Sequence, residues 1–146
     1  MKIYLDMCSI QRPLDTKTQP RIAVEAEAIL GVLTLCEAAQ ADLISSDTLL
    51  FEVGRNPHPV RKEYALKVLA KATVFVPTDN EIVERTRKFE AEGVKPLDAF
   101  HLASAVIAKA DYFCTCDDRF LKRAKEADTG QTKVVSPLEL ITEVTQ

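Results

Sequence analysis

Glycine is scarce in this chain: the 146 residues hold four, Gly31, Gly54, Gly93 and Gly130, and they are widely scattered. Phosphate-binding loops need clustered glycines so that backbone can approach the phosphate closely. Neither a dinucleotide fingerprint nor a Walker-type loop can be assembled from this set. Histidine is scarcer still, with His58 and His101 alone, which speaks against a histidine-rich zinc catalyst. The four cysteines are Cys8, Cys36, Cys114 and Cys116. Cys114 and Cys116 flank one residue, which is the spacing of neither a zinc knuckle nor a redox pair, so reduced and mostly buried thiols are expected. No apolar run approaches the ~18 residues of a membrane span. The opening Met1 to Asp6 does not read as a signal peptide, so a cytoplasmic protein without a membrane partner is expected. Basic residues are also in the minority, 19 Lys and Arg against 22 Asp and Glu for a net charge of −3. A domain-wide basic surface is thereby excluded, which leaves a local basic rim as the way to hold nucleic acid.

What is present is a globular composition. Hydrophobic residues make up 47% and charged residues 28%, which predicts a packed core under a charged surface, and the length suits one domain over 1–146. Lys2 to Asp6 reads as a short first strand, followed by a loop through Arg12 and Pro20. Apolar residues then recur at helical spacing from Arg21 to Gln40. Leu43 to Ser45 predicts a second strand, and Ser46 or Asp47 a helix cap before Leu49, Leu50 and Val53. A helix over Val60–Lys71 precedes the β-branched run Thr73 to Val76, read as a buried strand. Thr78 to Glu81 fits a capping box for a helix ending at Gly93. Pro96 opens the next helix at its first position. Asp111 to Cys114 predicts a strand, Asp117 to Ala127 a helix, Lys133 to Val135 a last strand, and Ser136 to Glu139 a second capping box. Alternating strands and helices predict an α/β fold with a mostly parallel sheet of about five strands covered by helices on both faces.

In such sheets, sites form at the carboxyl edge, where strands end and helices begin. Four acids from separate segments fall there: Asp6 ends the first strand, Glu52 follows the second, Asp98 lies in a first helical turn, and Asp117 with Asp118 follows Phe113-Cys114. Carboxylates gathered without neutralisation repel, so they need raised pKa values or a bound cation. With little nitrogen or usable sulfur nearby, Mg²⁺ or Mn²⁺ is the matching guest. His101 stands three residues after Asp98 and reads as a core-facing or interhelical histidine. A phosphoaspartyl enzyme with Asp6 as nucleophile is the competing chemistry. Its phosphatase form wants a second acid two residues on, where this chain has Cys8.

Tyr4-Leu5-Asp6 with Ser9, then Glu52, then Lys95-Pro96-Leu97-Asp98-Ala99-Phe100-His101-Leu102-Ala103-Ser104-Ala105, then Thr115-Cys116-Asp117-Asp118-Arg119-Phe120 resemble PIN-domain proteins, above all the VapC-type ribonuclease toxins. The two long gaps between Asp6, Glu52 and Asp98, followed by a short one to Asp117, suit that family's layout. The resemblance implies a three-layer α/β/α fold and a metal-dependent endoribonuclease, with Asp6, Glu52, Asp98 and Asp117 as the catalytic acids and metal ligands. It further implies Thr115 as the hydroxyl preceding the last acid, and Mg²⁺ or Mn²⁺ as cofactor. RNA is then the substrate, a small antitoxin protein the partner, and a homodimer the assembly. The family often has Thr directly after the first acid. Here Met7-Cys8 follow, so Ser9 or Gln11 has to supply that polar support. Arg12, Lys95 and Arg119, near the same segment ends, are the candidates for holding RNA phosphates. Asp118 is expected to cap the following helix and so to free Asp117 for the metal. The other reading is a catalytically inactive PIN-like module that binds RNA or a protein.

Overall fold

The computed structural model describes residues 1–146. Five short strands, β1 (Lys2–Leu5), β2 (Asp42–Ser46), β3 (Val74–Val76), β4 (Tyr112–Cys114) and β5 (Lys133–Val135), form one sheet in the order β3-β2-β1-β4-β5. Every neighbouring pair is parallel. Parallel neighbours require crossovers. Helices α1 (Met7–Gln11), α2 (Pro20–Glu37), α3 (Asp47–Gly54), α4 (Pro59–Leu69), α5 (Asn80–Ala91), α6 (Pro96–Ile107) and α7 (Asp118–Glu126) supply them, and α8 (Pro137–Val144) ends the chain. Ile3, Tyr4 and Leu5 are fully buried in the central strand, the continuous burial expected of a parallel strand covered on both faces. Among the covering helices, α2 packs on α8 and α5 on α6.

The strand order decides where a ligand can bind. The chain steps from β1 to β2 and β3 on one side, then crosses to β4 and β5 on the other. The order therefore reverses between β1 and β4, whose ends align through the pair Leu5 and Cys114. Connections leaving two such strands diverge and open a crevice at the carboxyl edge. Asp6 leaves β1 at that edge, and Thr115 to Asp117 leave β4 there.

Several local expectations shift. The segment after Asp6 is helix α1 rather than loop, because the Asp6 carboxylate caps it, accepting from the Ser9 N–H at 3.1 Å. A 3-10 turn (Arg12–Leu14) continues it. Strand β3 is an edge strand with Phe75 half-exposed, not a buried one. The cap of α5 is Asp79, whose carboxylate accepts from the Ile82 N–H at 3.0 Å, in place of a box built on Thr78. Ser46 caps α3, Pro96 occupies the first turn of α6, and Ser136 with Glu139 forms the expected capping box. Gly93 adopts φ +94° just past α5, a conformation that suits glycine alone.

Arg12 is not free for RNA. Its Nη2 lies 2.9 Å from the buried Glu25 carboxylate and its Nη1 3.0 Å from Asp15, which also holds Arg61 at 2.8 Å. These pairs clamp the 3-10 turn onto α2 and α4. Glu25→Ala would leave a largely buried guanidinium short of a partner. The expected cost is about 3 kcal/mol, the low end for a buried pair because Asp15 remains. It should be read as a lowered urea midpoint at unchanged slope.

Candidate active site

Each candidate acid reaches the carboxyl edge on a different element. Asp6 is 4% exposed, and its Oδ1 accepts from the Ser9 N–H and from the Cys8 thiol, both at 3.1 Å. Ser9 therefore supports Asp6 through its backbone, while its hydroxyl donates to the Cys114 carbonyl at 3.2 Å. Cys8 takes up the polar support expected after the first acid. Burial pushes the Asp6 carboxyl above its ordinary value, against hydrogen bonds from Thr115, Cys8 and Ser9 and the nearby His101.

Asp98, in the first turn of α6, is half-buried. Its carboxyl is pushed up to about 6, first by burial and then by the negative charge of Asp6, with Asp117 and Glu52 adding to it. That shift makes the four acids one electrostatic cluster. None of them pairs with a lysine or arginine. No three of the side chains converge closely enough to chelate an ion as they stand.

Glu52 is held from behind. Its Oε1 lies 2.7 Å from His101 Nε2, His101 Nδ1 lies 2.7 Å from the Tyr4 hydroxyl, and that hydroxyl lies 2.7 Å from Ser46 Oγ. Ser46 Oγ in turn accepts from the Leu49 N–H at 3.1 Å. One hydrogen assignment satisfies every member. Ser46 donates to Tyr4, Tyr4 donates to Nδ1, and the Nε2–H donates to the Glu52 carboxylate. Burial raises the Tyr4 phenol well above its ordinary range, which keeps it a donor. The histidine is thus buried, as its spacing predicts, yet it also orients an acid. The sequence signals for this relay are a tyrosine in a buried strand, whose hydroxyl must find a partner, and a histidine one turn after Asp98.

The cap expected of Asp118 falls to its neighbour in the last segment. Asp117, not Asp118, caps α7, accepting at Oδ1 from the Arg119 and Phe120 N–H groups at 3.0 and 3.1 Å. Its own N–H donates to Thr115 Oγ1 at 3.1 Å. Asp118 is exposed and accepts from both terminal guanidinium nitrogens of Arg21, at 2.8 and 2.5 Å. The cap falls to Asp117 because helix geometry begins at Asp118, so only the preceding side chain can turn back onto the free N–H groups.

Asp98 and Asp117 open onto a cleft of about 570 Å³ lined also by Lys95, Arg119, Lys122 and Arg123. Asp6 and Glu52 are not part of that lining. Lys122 and Arg123 were legible as the positions three and four after Arg119, on one face of a helix. Arg123 packs over Gly93, where a Cβ would stand 3.0 Å from its Nη1.

A carboxyl whose folded value lies above its unfolded one takes up a proton on folding. Stability from this source is present in acid and is lost as pH rises from about 4 to about 6. At neutral pH the Asp98 carboxylate therefore destabilises the metal-free protein. In chelator, Asp98→Asn is expected to raise the Tm by a few degrees at neutral pH and to give no gain once the parent carboxyl is protonated, as measured by scanning calorimetry across that range.

The fold resembles solved structures across nearly the whole chain. FitAcB from Neisseria gonorrhoeae matches with a TM-score of 0.55 and 14% identity, over 93% of this chain and 98% of that one. VapBC2 from Rickettsia felis, bound to a DNA fragment from their promoter, matches with a TM-score of 0.54 and 13% identity, over 92% of this chain and 99% of that one. At such identities the likeness is one of fold. No curated protein matches by sequence. The family model of the PIN domain matches residues 3–126. With the strand order, the carboxylate cluster and this match in agreement, the chain belongs to the PIN-domain family, whose members are generally nucleases.

Proposed function

We propose that this protein is a divalent-metal-dependent endoribonuclease and the toxin of a toxin–antitoxin pair, acting in the cytoplasm as a homodimer. One observation carries the catalytic part: Asp98, at the sheet edge where the strand order reverses, feels the charges of Asp6, Asp117 and Glu52, and none of the four acids pairs with a lysine or an arginine. An all-oxygen, uncompensated donor set fits a hard cation, Mg²⁺ or Mn²⁺. Asp6 and Asp98 would hold it directly, with Glu52 and Asp117 acting through water or on a second ion. When bound, the metal supplies polarisation of the phosphate and activation of a water.

The rest is the work of the chain's own residues. The relay from Ser46 through Tyr4 and His101 fixes one oxygen of Glu52, and the α7 cap fixes one oxygen of Asp117. Each of these acids keeps its second oxygen for the reaction. Thr115 supports Asp6 and holds the backbone of Asp117. Lys95 and Arg119, along the cleft beside Asp98 and Asp117, would hold RNA phosphates on either side of the bond to be cut. The motif resemblance to VapC-type toxins and the likeness in fold to FitAcB and VapBC2 support a small antitoxin as partner.

Excess EDTA should abolish cleavage of RNA by the purified protein, and added Mg²⁺ or Mn²⁺ should restore it. Asp6→Asn and Asp98→Asn should each lower cleavage by about 100-fold or more, roughly 2.7 kcal/mol of lost transition-state stabilisation, with the fold intact by circular dichroism. Full activity in EDTA overturns the metal reading. RNA binding without cleavage under any divalent ion makes the protein a PIN-like binding module instead.

A further inference from the structure

Two thiols from distant segments stand beside the carboxylates, and the cleavage reading leaves them unused. Cys8, in the first turn of α1, is exposed, whereas Cys116, between β4 and α7, is buried. The Cys8 Sγ donates to Asp6 Oδ1 at 3.1 Å and lies 3.6 Å from Thr115 Oγ1, on the residue next to Cys116. The Cys116 Sγ in turn lies 3.9 Å from the carbonyl oxygen of Cys8 and 3.7 Å from the hydroxyl of Ser9. Each thiol thus touches the residue that carries or flanks the other. All four cysteines are unbonded. Spacing along the chain points to Cys114 and Cys116 as the nearest pair, yet β4 delivers Cys114 into the core and leaves Cys116 facing α1.

We propose that Cys8 and Cys116 form a thiol pair that a low-molecular-weight disulfide oxidises to an intramolecular disulfide, and that this bond closes the candidate active site. Its effect on cleavage rests on the nuclease reading above; the bond itself does not. With glutathione disulfide as oxidant, the exposed Cys8 is the thiol within reach of the reagent; it gives up the proton it shares with Asp6, and its sulfur attacks first. A Cys8–glutathione bond forms, and one glutathione leaves and takes up a proton. Cys116 then attacks the Cys8 sulfur, the protein disulfide forms, and a second glutathione leaves with the second proton. Two protein thiols are oxidised and one glutathione disulfide becomes two glutathione thiols.

The consequence follows from the contacts. Oxidation removes the S–H that Cys8 donates to Asp6. It also draws α1 toward the β4–α7 connection until the sulfurs stand about 2.05 Å apart. Those are the two segments that carry Asp6 and Asp117, so the acids at the strand-order reversal shift together. A reducing compartment keeps the bond open and the site competent.

The test treats the reduced full chain with glutathione disulfide. It reads the free-thiol count, a non-reducing peptide map and RNA cleavage in Mn²⁺. The expected result is loss of two of the four thiols, a Cys8–Cys116 peptide, and a fall in cleavage of at least tenfold that dithiothreitol reverses. Cys116→Ser should instead carry one glutathione on Cys8. Cys8→Ser, which keeps a donor to Asp6, should form no cross-link, while Cys36→Ser should behave as the parent. Absence of the Cys8–Cys116 peptide overturns the proposal, and so does a cross-linked protein that cleaves at the reduced rate. If the reduced protein cleaves no RNA, the nuclease reading fails, and the peptide map alone decides whether the pair exists.

Discussion

Mutual repulsion among Asp6, Glu52, Asp98 and Asp117 is the constraint to which the rest of the site answers. The buried sheet delivers these carboxylates to one edge, and burial there makes the charges of Asp6 and Asp98 harder to hold than they would be in water. Asp98 registers the result most openly, with its carboxyl at about 6 under the combined influence of burial and its three neighbours. A chain selected only for stability would place a lysine or an arginine among them. This one places its cations one shell outward, on Lys95, Arg119, Lys122 and Arg123 along the adjoining cleft. On the proposed function, the uncompensated charge would hold a cation and the outer basic residues would hold phosphates.

Hydrogen bonds do the positioning here that lysine and arginine do elsewhere in the molecule. Ser46, Tyr4 and His101 reach Glu52 through a buried relay that joins β2, β1 and α6. Helix ends do the same for Asp6, which caps α1, and for Asp117, which caps α7. Orphan N–H groups at a helix start favour a carboxylate without cancelling its charge. The same side chains can therefore build the fold and still present a free oxygen to a ligand.

Away from the edge, ordinary ion pairs handle the chain's remaining charges. Arg12 and Arg61 converge on Asp15, Arg12 also holds Glu25, and Arg21 holds Asp118. These pairs fasten the turn after α1 to α2 and α4, and α7 to α2. They separate two neighbouring aspartates cleanly: Asp117 faces the cleft and Asp118 faces a surface arginine.

Much of this was legible in the sequence. Period-two and period-3.6 apolar patterns, the proline at the start of α6 and the Ser136 capping box are local signals, so the alternation of strands and helices and a parallel sheet followed from them. The acids at segment ends were legible too, because a strand that stops at a carboxylate is a local event. Tertiary structure alone decided the pairings between segments. The partner of Arg12, the closure of Tyr4 onto His101 and Glu52, and the meeting of Cys8 with Cys116 depend on strand order and on side-chain direction, which residues far apart in the chain do not encode by spacing. The cap of α7 and the helix after Asp6 were settled by where the backbone first turns helical, a choice of one residue that packing makes and composition does not.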